Sequence, residues 1–488
     1  MQEREQAIKL DGFIADLAAL RLVSRRTAKF LNIIPLAVTK SDALIIAASD
    51  PEDVRISQEL RGRELIFVIA AREDIAKNLD KIYDFYQDAK LTFDAAPASF
   101  IADFLLAQAV KSGASDLHIE NVILKFKNLN NNNFNSIVRV RFRLDGKLYT
   151  KFNYPSELHS QVANIFKLRC NMNIAENRLP QDGHFIMQLD GRNIDFRVSA
   201  FNTMSGAKLT VRILDNNNKN IGLENLGLDE IDLNIIKKFC ELPYGILLAA
   251  GPTGSGKTTT LYSMLQTLNT PDVNIITVED PVEFLLPGIN QVQINDKIGL
   301  SFNAALRAAL RQDPDKIMVG EIRDAETAQT AIRAALTGHL VMSTIHTNDA
   351  AGAAVRFIEM GLPAFLVAAT LTGVISQRLV RLLCPHCKLE YEIDDKTCED
   401  LKLPLKSKAF KASGCEHCGY TGYKGRTGIF EILIVDDELR DMILRGASSR
   451  ELNEVAVVKK GMRTIREAGL KAVLNGVTSL EDILSVTI

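Results

Sequence analysis

The octapeptide Gly251-Pro252-Thr253-Gly254-Ser255-Gly256-Lys257-Thr258 constrains the fold more than any other stretch of this chain. It follows the apolar run Ile246–Ala250 and leads into Thr259-Thr260-Leu261-Tyr262-Ser263-Met264-Leu265, so a buried strand must turn sharply into a helix. Glycines let backbone amides converge on phosphate oxygens, and a helix N-terminus adds a field that favours anions. In this G-x-x-x-x-G-K-[ST] pattern Lys257 reaches the β and γ phosphates of a nucleoside triphosphate, and the Thr258 hydroxyl ligates Mg²⁺. Gly251 through Thr259 are the candidate nucleotide-binding residues.

Hydrolysis needs more than a phosphate cradle. The apolar run Ile317-Met318-Val319-Gly320 ends in Glu321, where a carboxylate beside the loop polarises the attacking water. A second run, Ile275–Val278, ends in Glu279-Asp280 and continues to Glu283; these acids are candidates for the metal's waters or a shared base role. A third run, Leu340–Ile345, lies between His339 and His346, and a histidine at the strand's carboxyl end is placed to sense the γ phosphate. Arg307 and Arg311, spaced i, i+4 on a helix expected over 302–311, share one face. Arg197 and Arg212 each alternate with apolar neighbours, which puts them on the polar faces of strands. An arginine brought in from another domain or protomer stabilises transition-state charge.

From about 222 to 380 buried strands alternate with helices, the pattern of a parallel α/β domain. Two small mixed α+β domains precede it, at 1–93 and 100–215. The second contains the strand Val138–Leu144 with arginines at every other position, and hairpin turns at Asp145-Gly146 and Asp190-Gly191. In the first, a helix is expected from Ile75 to about Tyr86, capped by Asp74. Residues 95–99, the Asn-rich stretch 128–135 and residues 215–220 read as linkers or loops, and 431–488 as mostly helical. The net charge of −2 over 488 residues offers no broad attraction to nucleic acid or anionic lipid. No signal peptide or convincing transmembrane run is present, so a cytoplasmic location is expected, with any membrane association through partners.

Seven cysteines without a secretory signal argue against a disulfide framework. Four form two pairs, Cys384-Pro385-His386-Cys387 and Cys415-Glu416-His417-Cys418, in the stretch 381–430. Each pair presents two thiolates to one ion, which suits tetrahedral, structural Zn²⁺. The rival reading is a redox motif, but no thioredoxin-like unit surrounds it and such a site needs no second pair.

Together these motifs resemble the secretion ATPase superfamily and, more narrowly, the type II secretion E and type IV pilus assembly B ATPases. The likeness is carried by the phosphate loop, Thr277–Glu283, Leu310–Asp315 running into Val319–Asp324, and Thr337–His339 through His346–Asn348. Ala114–Glu120, Arg178–Gly183 and Asp195–Ser199 match the family's second N-terminal, PAS-like domain, and Asp50-Pro51 its first. The resemblance implies a RecA-like ATPase domain and a hexameric ring with ATP held between it and the second N-terminal domain. Arg197 and Arg212 match phosphate-facing arginines of that N-terminal domain; Arg307, Arg311 and Arg323 match those of the ATPase domain. It also implies docking to an inner-membrane platform protein and to the cytoplasmic domain of a membrane anchor, without direct nucleic-acid binding. The tetracysteine module, followed by Gly419–Arg426, fits assembly-type rather than retraction-type members. Two departures, His184 for the usual Arg and Ala207 for the usual Glu, are expected at hairpin positions, where they affect local salt bridges. The expected activity is ATP hydrolysis coupled to building a pilin or pseudopilin fibre for secretion, pilus extension or DNA uptake. The short N-terminus favours the secretion or uptake types, and no cyclic-dinucleotide-binding repeat is seen. A nucleotide-gated scaffold without turnover and a DNA translocase are the alternatives.

Overall fold

The computed structural model describes Leu10 and residues 17–39, 43–87, 97–124, 135–215 and 222–487. Most of the expected loops at 95–99, 128–135 and 215–220 lies outside these residues; Ala98 and Ser99 instead open a helix, Ala98–Lys111. The chain divides into two compact units, Met1–Asn218 and Lys219–Ile488.

In the first unit two short helices, Leu17–Leu22 and Arg25–Leu31, lead into a three-stranded sheet of β1 (Ile33–Val38), β2 (Leu44–Ala48) and β3 (Leu65–Ile69), antiparallel between β1 and β2 and parallel between β2 and β3. The helix beside it runs over Arg72–Gln87 and buries Ile75, Leu79 and Ile82. It starts earlier than the sequence reading, because Asp74 is not its cap. The Asp74 carboxylate instead accepts the Leu10 amide at 2.7 Å and Asn78 Nδ2 at 2.9 Å from within the first turn.

Six further strands follow: β4 (Asp116–Leu124), β5 (Asn135–Leu144), β6 (Lys147–Pro155), β7 (Gln181–Leu189), β8 (Arg192–Thr203) and β9 (Gly206–Asp215). They form one antiparallel sheet in the order β6-β5-β4-β9-β8-β7. Asp145-Gly146 and Asp190-Gly191 take positive φ at both turn positions, as tight hairpins with right-handed strand twist require. Alternation then sorts the faces. Val140, Phe142, Phe196, Val198 and Val211 pack with the helices Ala98–Lys111 and His159–Arg169, while the arginines point the other way.

In the second unit the strands are β10 (Gly245–Ala250), β11 (Ile275–Glu279), β12 (Asn290–Gln293), β13 (Lys316–Val319), β14 (Leu340–Ile345), β15 (Leu371–Leu383), β16 (Leu389–Glu392), β17 (Lys408–Lys411) and β18 (Tyr423–Ile434). Seven of them make one sheet, β12-β11-β13-β14-β10-β15-β18, parallel throughout except for the final β15–β18 pair. Every residue of β10, β11 and β14 is buried, because helices cover both faces of the sheet. Ala328, Ile332 and Phe357 pack on one side; Phe239, Leu261 and Leu265 pack on the other. This is a RecA-like P-loop core.

The cysteine segment departs from its expected limits of 381–430. β15 continues to Leu383 and β18 begins at Tyr423, so the segment is an insertion at 384–422 between two paired strands of the main sheet. Four helices, Asp437–Leu444, Ser449–Val458, Ile465–Leu474 and Leu480–Val486, complete the tail. The last is tied to β15 by Asp482, whose carboxylate accepts Arg381 N at 2.7 Å, Nε at 2.9 Å and Nη2 at 2.6 Å. Both side chains are buried, and the guanidinium lies 3.6 Å from the Tyr423 ring centroid. Removing one partner of such a pair strands a charge in a medium that solvates it poorly. Asp482→Ala is expected to destabilise this unit by about 3–5 kcal/mol in chemical denaturation, and a loss under about 1 kcal/mol would contradict it.

Candidate active site

The loop after β10 takes a backbone path that only glycine follows easily. Gly251, Gly254 and Gly256 have φ of +142°, +78° and +92°. A Cβ on Gly251 would stand 2.6 Å from Gln377 O, and one on Gly256 would stand 2.7 Å from Gln377 Nε2. Gln377 belongs to β15, is buried, and accepts the Thr260 hydroxyl at 2.7 Å, so the neighbouring strand braces the loop from beneath. Thr253 through Thr259 line a cavity of about 480 Å³. Gly251 and Pro252 do not line it; their carbonyls accept Lys257 Nζ at 2.8 and 3.0 Å. Burial holds the Lys257 pKa below the usual lysine value, against the opposing pull of Glu321. The Ser255 hydroxyl is buried without a partner among the described residues, as expected of a group that bonds a phosphate oxygen.

Because the strands are parallel, β11, β13 and β14 deliver their carboxyl ends to the same rim as β10. Glu321 follows β13 and lines the cavity, with Oε2 2.5 Å from Arg323 Nε and 4.0 Å from His346 Nε2. That bond raises the Arg323 pKa. Burial, then the charge of Lys257, lowers that of His346 against the opposing pull of Glu321, which favours the neutral imidazole with one N–H and one lone pair. Glu283 is exposed at the cavity edge. Glu279 also lines the cavity but is buried, and its carboxylate accepts from Tyr262 Oη, from Thr277 Oγ1 at 2.6 Å and from Gln291 Nε2 at 3.1 Å. Its oxygens are committed to holding β11 and the helix Lys257–Leu268 together, whereas Asp280, Glu283 and Glu321 line the cavity without being buried.

His339 sits at the amino end of β14, away from this rim, where Nδ1 meets Ala334 O at 2.9 Å and closes the helix Ala325–Leu336. The helix carrying Arg307 covers Phe302–Ala309 and stops before Arg311, since the positive φ of Asp313 and the following Pro314 prevent its continuation. Arg311 folds back so that Nη1 donates to Arg307 O at 2.9 Å, and Arg307 reaches Glu326 at 3.4 Å. Both are exposed, they do not share one helical face as expected, and neither lines the cavity.

In the first unit Arg197 and Arg212 stand directly opposite each other on β8 and β9. Arg212 Nε is 3.3 Å from Asp116, and Arg197 Nε is 3.9 Å from Asp195. His184 lies on the β7–β8 hairpin, as expected, mid-strand on β7 and opposite Arg197. Ala207 is beside the β8–β9 turn, as expected, and its carbonyl bonds His159 Nε2.

Sequence reasoning missed several cavity residues. Thr344 donates to Gly320 O at 2.7 Å and fixes the turn into Glu321. Leu379 and Arg426 reach the cavity from β15 and β18. No local motif announces them, because they are brought in by strand pairing across long sequence separations.

The four cysteine sulfurs of the insertion lie within 4.8 Å of one another and form a cluster able to hold a metal ion. Sγ–Sγ distances are 3.8 Å for Cys384–Cys415, 3.9 Å for Cys387–Cys418 and 3.8 Å for Cys415–Cys418. A tetrahedral ion with bonds of about 2.3 Å sets its ligand sulfurs about 3.8 Å apart. The amides of Gly414, Cys415 and Gly422 donate to these sulfurs at 3.2–3.3 Å, which favours thiolates. The donor set fits zinc.

Residues 92–485 match the family model described as Type II/IV secretion system protein, and residues 4–87 match the MshEN domain. The chain is 38% identical to the type IV pilus assembly ATPase PilB of Myxococcus xanthus, covering 99% of this chain and 88% of that protein. It is 40% identical to type II secretion system protein E of Dickeya dadantii (97% and 91% covered). For the type II secretion system ATPase E of Vibrio cholerae the identity is 42% (87% and 82% covered). Among solved structures, the pilus retraction motor PilT with bound ADP superimposes with a TM-score of 0.52 at 27% identity, covering 79% of this chain and 96% of that one. The DotB ATPase of Legionella pneumophila shares the fold, with a TM-score of 0.57, 22% identity and coverage of 79% and 95%. The chain belongs to the type II/IV secretion system protein family, among the type II secretion E and type IV pilus assembly B ATPases.

Proposed function

We propose that this chain is one protomer of a hexameric cytoplasmic ATPase that drives assembly of a pilin or pseudopilin fibre. The observation that carries this reading is the convergence of Lys257, Glu321 and His346 on the glycine loop around one cavity. In the proposed cycle the triphosphate displaces the loop carbonyls from Lys257, whose charge then neutralises the β and γ phosphates. Thr258 would hold Mg²⁺, which when bound would supply positive charge against that developing on the phosphates. Glu321 accepts a proton from the attacking water, and His346 meets the γ phosphate from the adjacent strand. Arg197 and Arg212 of the first unit, with Arg307, Arg311 and Arg323, supply the remaining positive charge as the ring closes over the nucleotide. Opening and closing of that interface is the motion passed to an inner-membrane platform protein, with the membrane anchor's cytoplasmic domain holding the ring in place. Support for assembly rather than disassembly comes from the tetracysteine insertion, read as a structural zinc site. The fibre serves type II secretion, pilus extension or DNA uptake.

Two measurements test this. Glu321→Gln in assembled rings is expected to retain ATP binding while steady-state phosphate release falls about 10²-fold or more, the range for loss of a general base. Turnover within a few-fold of wild type would remove the base assignment, and ATP-dependent partner binding without turnover in the unaltered ring would favour a scaffold. Stimulation of hydrolysis by DNA would favour a translocase. Purified protein is expected to carry one zinc per chain by elemental analysis. Cys415→Ser should lose it and melt at lower temperature, because metal binding and folding of so small an insertion are coupled; a metal-free protein of unchanged stability would refute the zinc reading.

A further inference from the structure

β15 meets the nucleotide site with two successive residues, whose side chains leave a strand on opposite faces. Gln377 turns toward the helix Lys257–Leu268, where it accepts the Thr260 hydroxyl. Arg378 turns toward the segment that leaves β14. Its Nη2 donates to Asn348 O at 2.7 Å, two residues beyond His346, and its Nη1 donates to Gln377 O at 3.1 Å. The guanidinium also packs against the start of the phosphate loop, since a Cβ on Gly251 would stand 3.2 Å from Nη1. Among the described residues, no other side chain from outside the segment 346–349 bonds its backbone. Thr347 Oγ1 donates to Asp349 O at 3.0 Å within the segment, and the next anchor is Ala350 N on Glu431 at 2.8 Å. The His346 side chain is exposed, with Nε2 4.0 Å from Glu321, so its place depends on the backbone that follows it. Burial lowers the Arg378 pKa against the pull of Glu431 and Asp349, and its hydrogen-bonding partners are the two carbonyls.

We propose that Arg378 is a positioning residue for His346: it holds the segment after β14 to the start of the phosphate loop, so that the imidazole meets a γ phosphate. The proposal rests on the reading above that His346 makes that contact. Arg378 does not line the nucleotide cavity, so it acts through the histidine rather than on the nucleotide. A guanidinium suits this task because its planar fork bonds two carbonyls at once, in a geometry that an ammonium on a flexible stem does not fix. The consequence is selective. ADP lacks the γ phosphate and is held by the loop alone, whereas ATP gains the histidine contact while Arg378 keeps the segment in place.

The test is the affinity of the full-length protein for ADP and for the non-hydrolysable β,γ-imido analogue of ATP. Wild type is compared with Arg378→Lys, Arg378→Met, His346→Ala and the double variant Arg378→Met with His346→Ala. Arg378→Met is expected to weaken the analogue about 10-fold, the size of one hydrogen bond to a charged group, and ADP by less than about twofold. Arg378→Lys keeps the charge but not the fork, and should weaken the analogue about threefold with ADP unchanged. Should the Met variant fail to fold, the Lys variant carries the same comparison. His346→Ala should match Arg378→Met, and the double variant should lose no more than either alone, because both remove one contact. Equal weakening of ADP and analogue, additive losses in the double variant, or a loss in Arg378→Met with none in Arg378→Lys overturns the proposal. If His346→Ala loses the preference for the analogue while both Arg378 variants keep it, the positioning role alone falls. If His346→Ala keeps it too, the γ-phosphate reading of His346 falls as well.

Discussion

Parallel pairing of β10, β11, β13 and β14 is the constraint on which the site depends. Four strands that run the same way must end on the same edge, so the phosphate loop, Glu279, Glu321 and His346 meet there although nearly a hundred residues separate the first from the last. The same geometry explains the selection among candidates. His339 and His346 flank one strand, yet only the residue at its carboxyl end reaches the cavity. Glu279 and Glu321 end adjacent strands, yet the first is consumed by Tyr262, Thr277 and Gln291 while the second keeps an approach to solvent.

β15 gives this edge its mechanical continuity with the rest of the unit. It places Gln377 under the phosphate loop and Arg381 on the buried Asp482, and the residue that follows it, Cys384, enters the sulfur cluster. Its partner β18 returns from the cluster carrying Arg426 into the cavity and Glu431 into the interior. Glu431 accepts the amides of Ala350 and Ile465, at the amino ends of two helices, at 2.8 and 3.1 Å. Burial pushes its pKa up while those amides oppose the rise. One carboxylate thus fixes both the segment after His346 and the C-terminal helices, a favourable arrangement because two helix amino ends share the negative charge.

Much of this was legible from residue order. Period-two alternation predicted the charged face of β5, Asp-Gly pairs predicted both hairpins, and two Cys-x-x-Cys pairs predicted one cluster, because each signal is set by neighbours a few residues apart. Errors arose where distant contacts decide. The helix with Arg307 ends early because of a turn beyond it, Asp74 sits inside its helix and accepts the distant Leu10 amide, and the pairing of His184 with Arg197 was not foreseen because register across strands cannot be read from one strand.

The sequence by itself determined that a strand, a glycine loop and a helix would form a phosphate cradle with Lys257 at its mouth, since those preferences are local and strong. Only the tertiary structure decided which acid faces the cradle, which histidine attends it and which arginines stand in one row. Those outcomes depend on strand order, register and competition for hydrogen bonds between segments far apart in the chain.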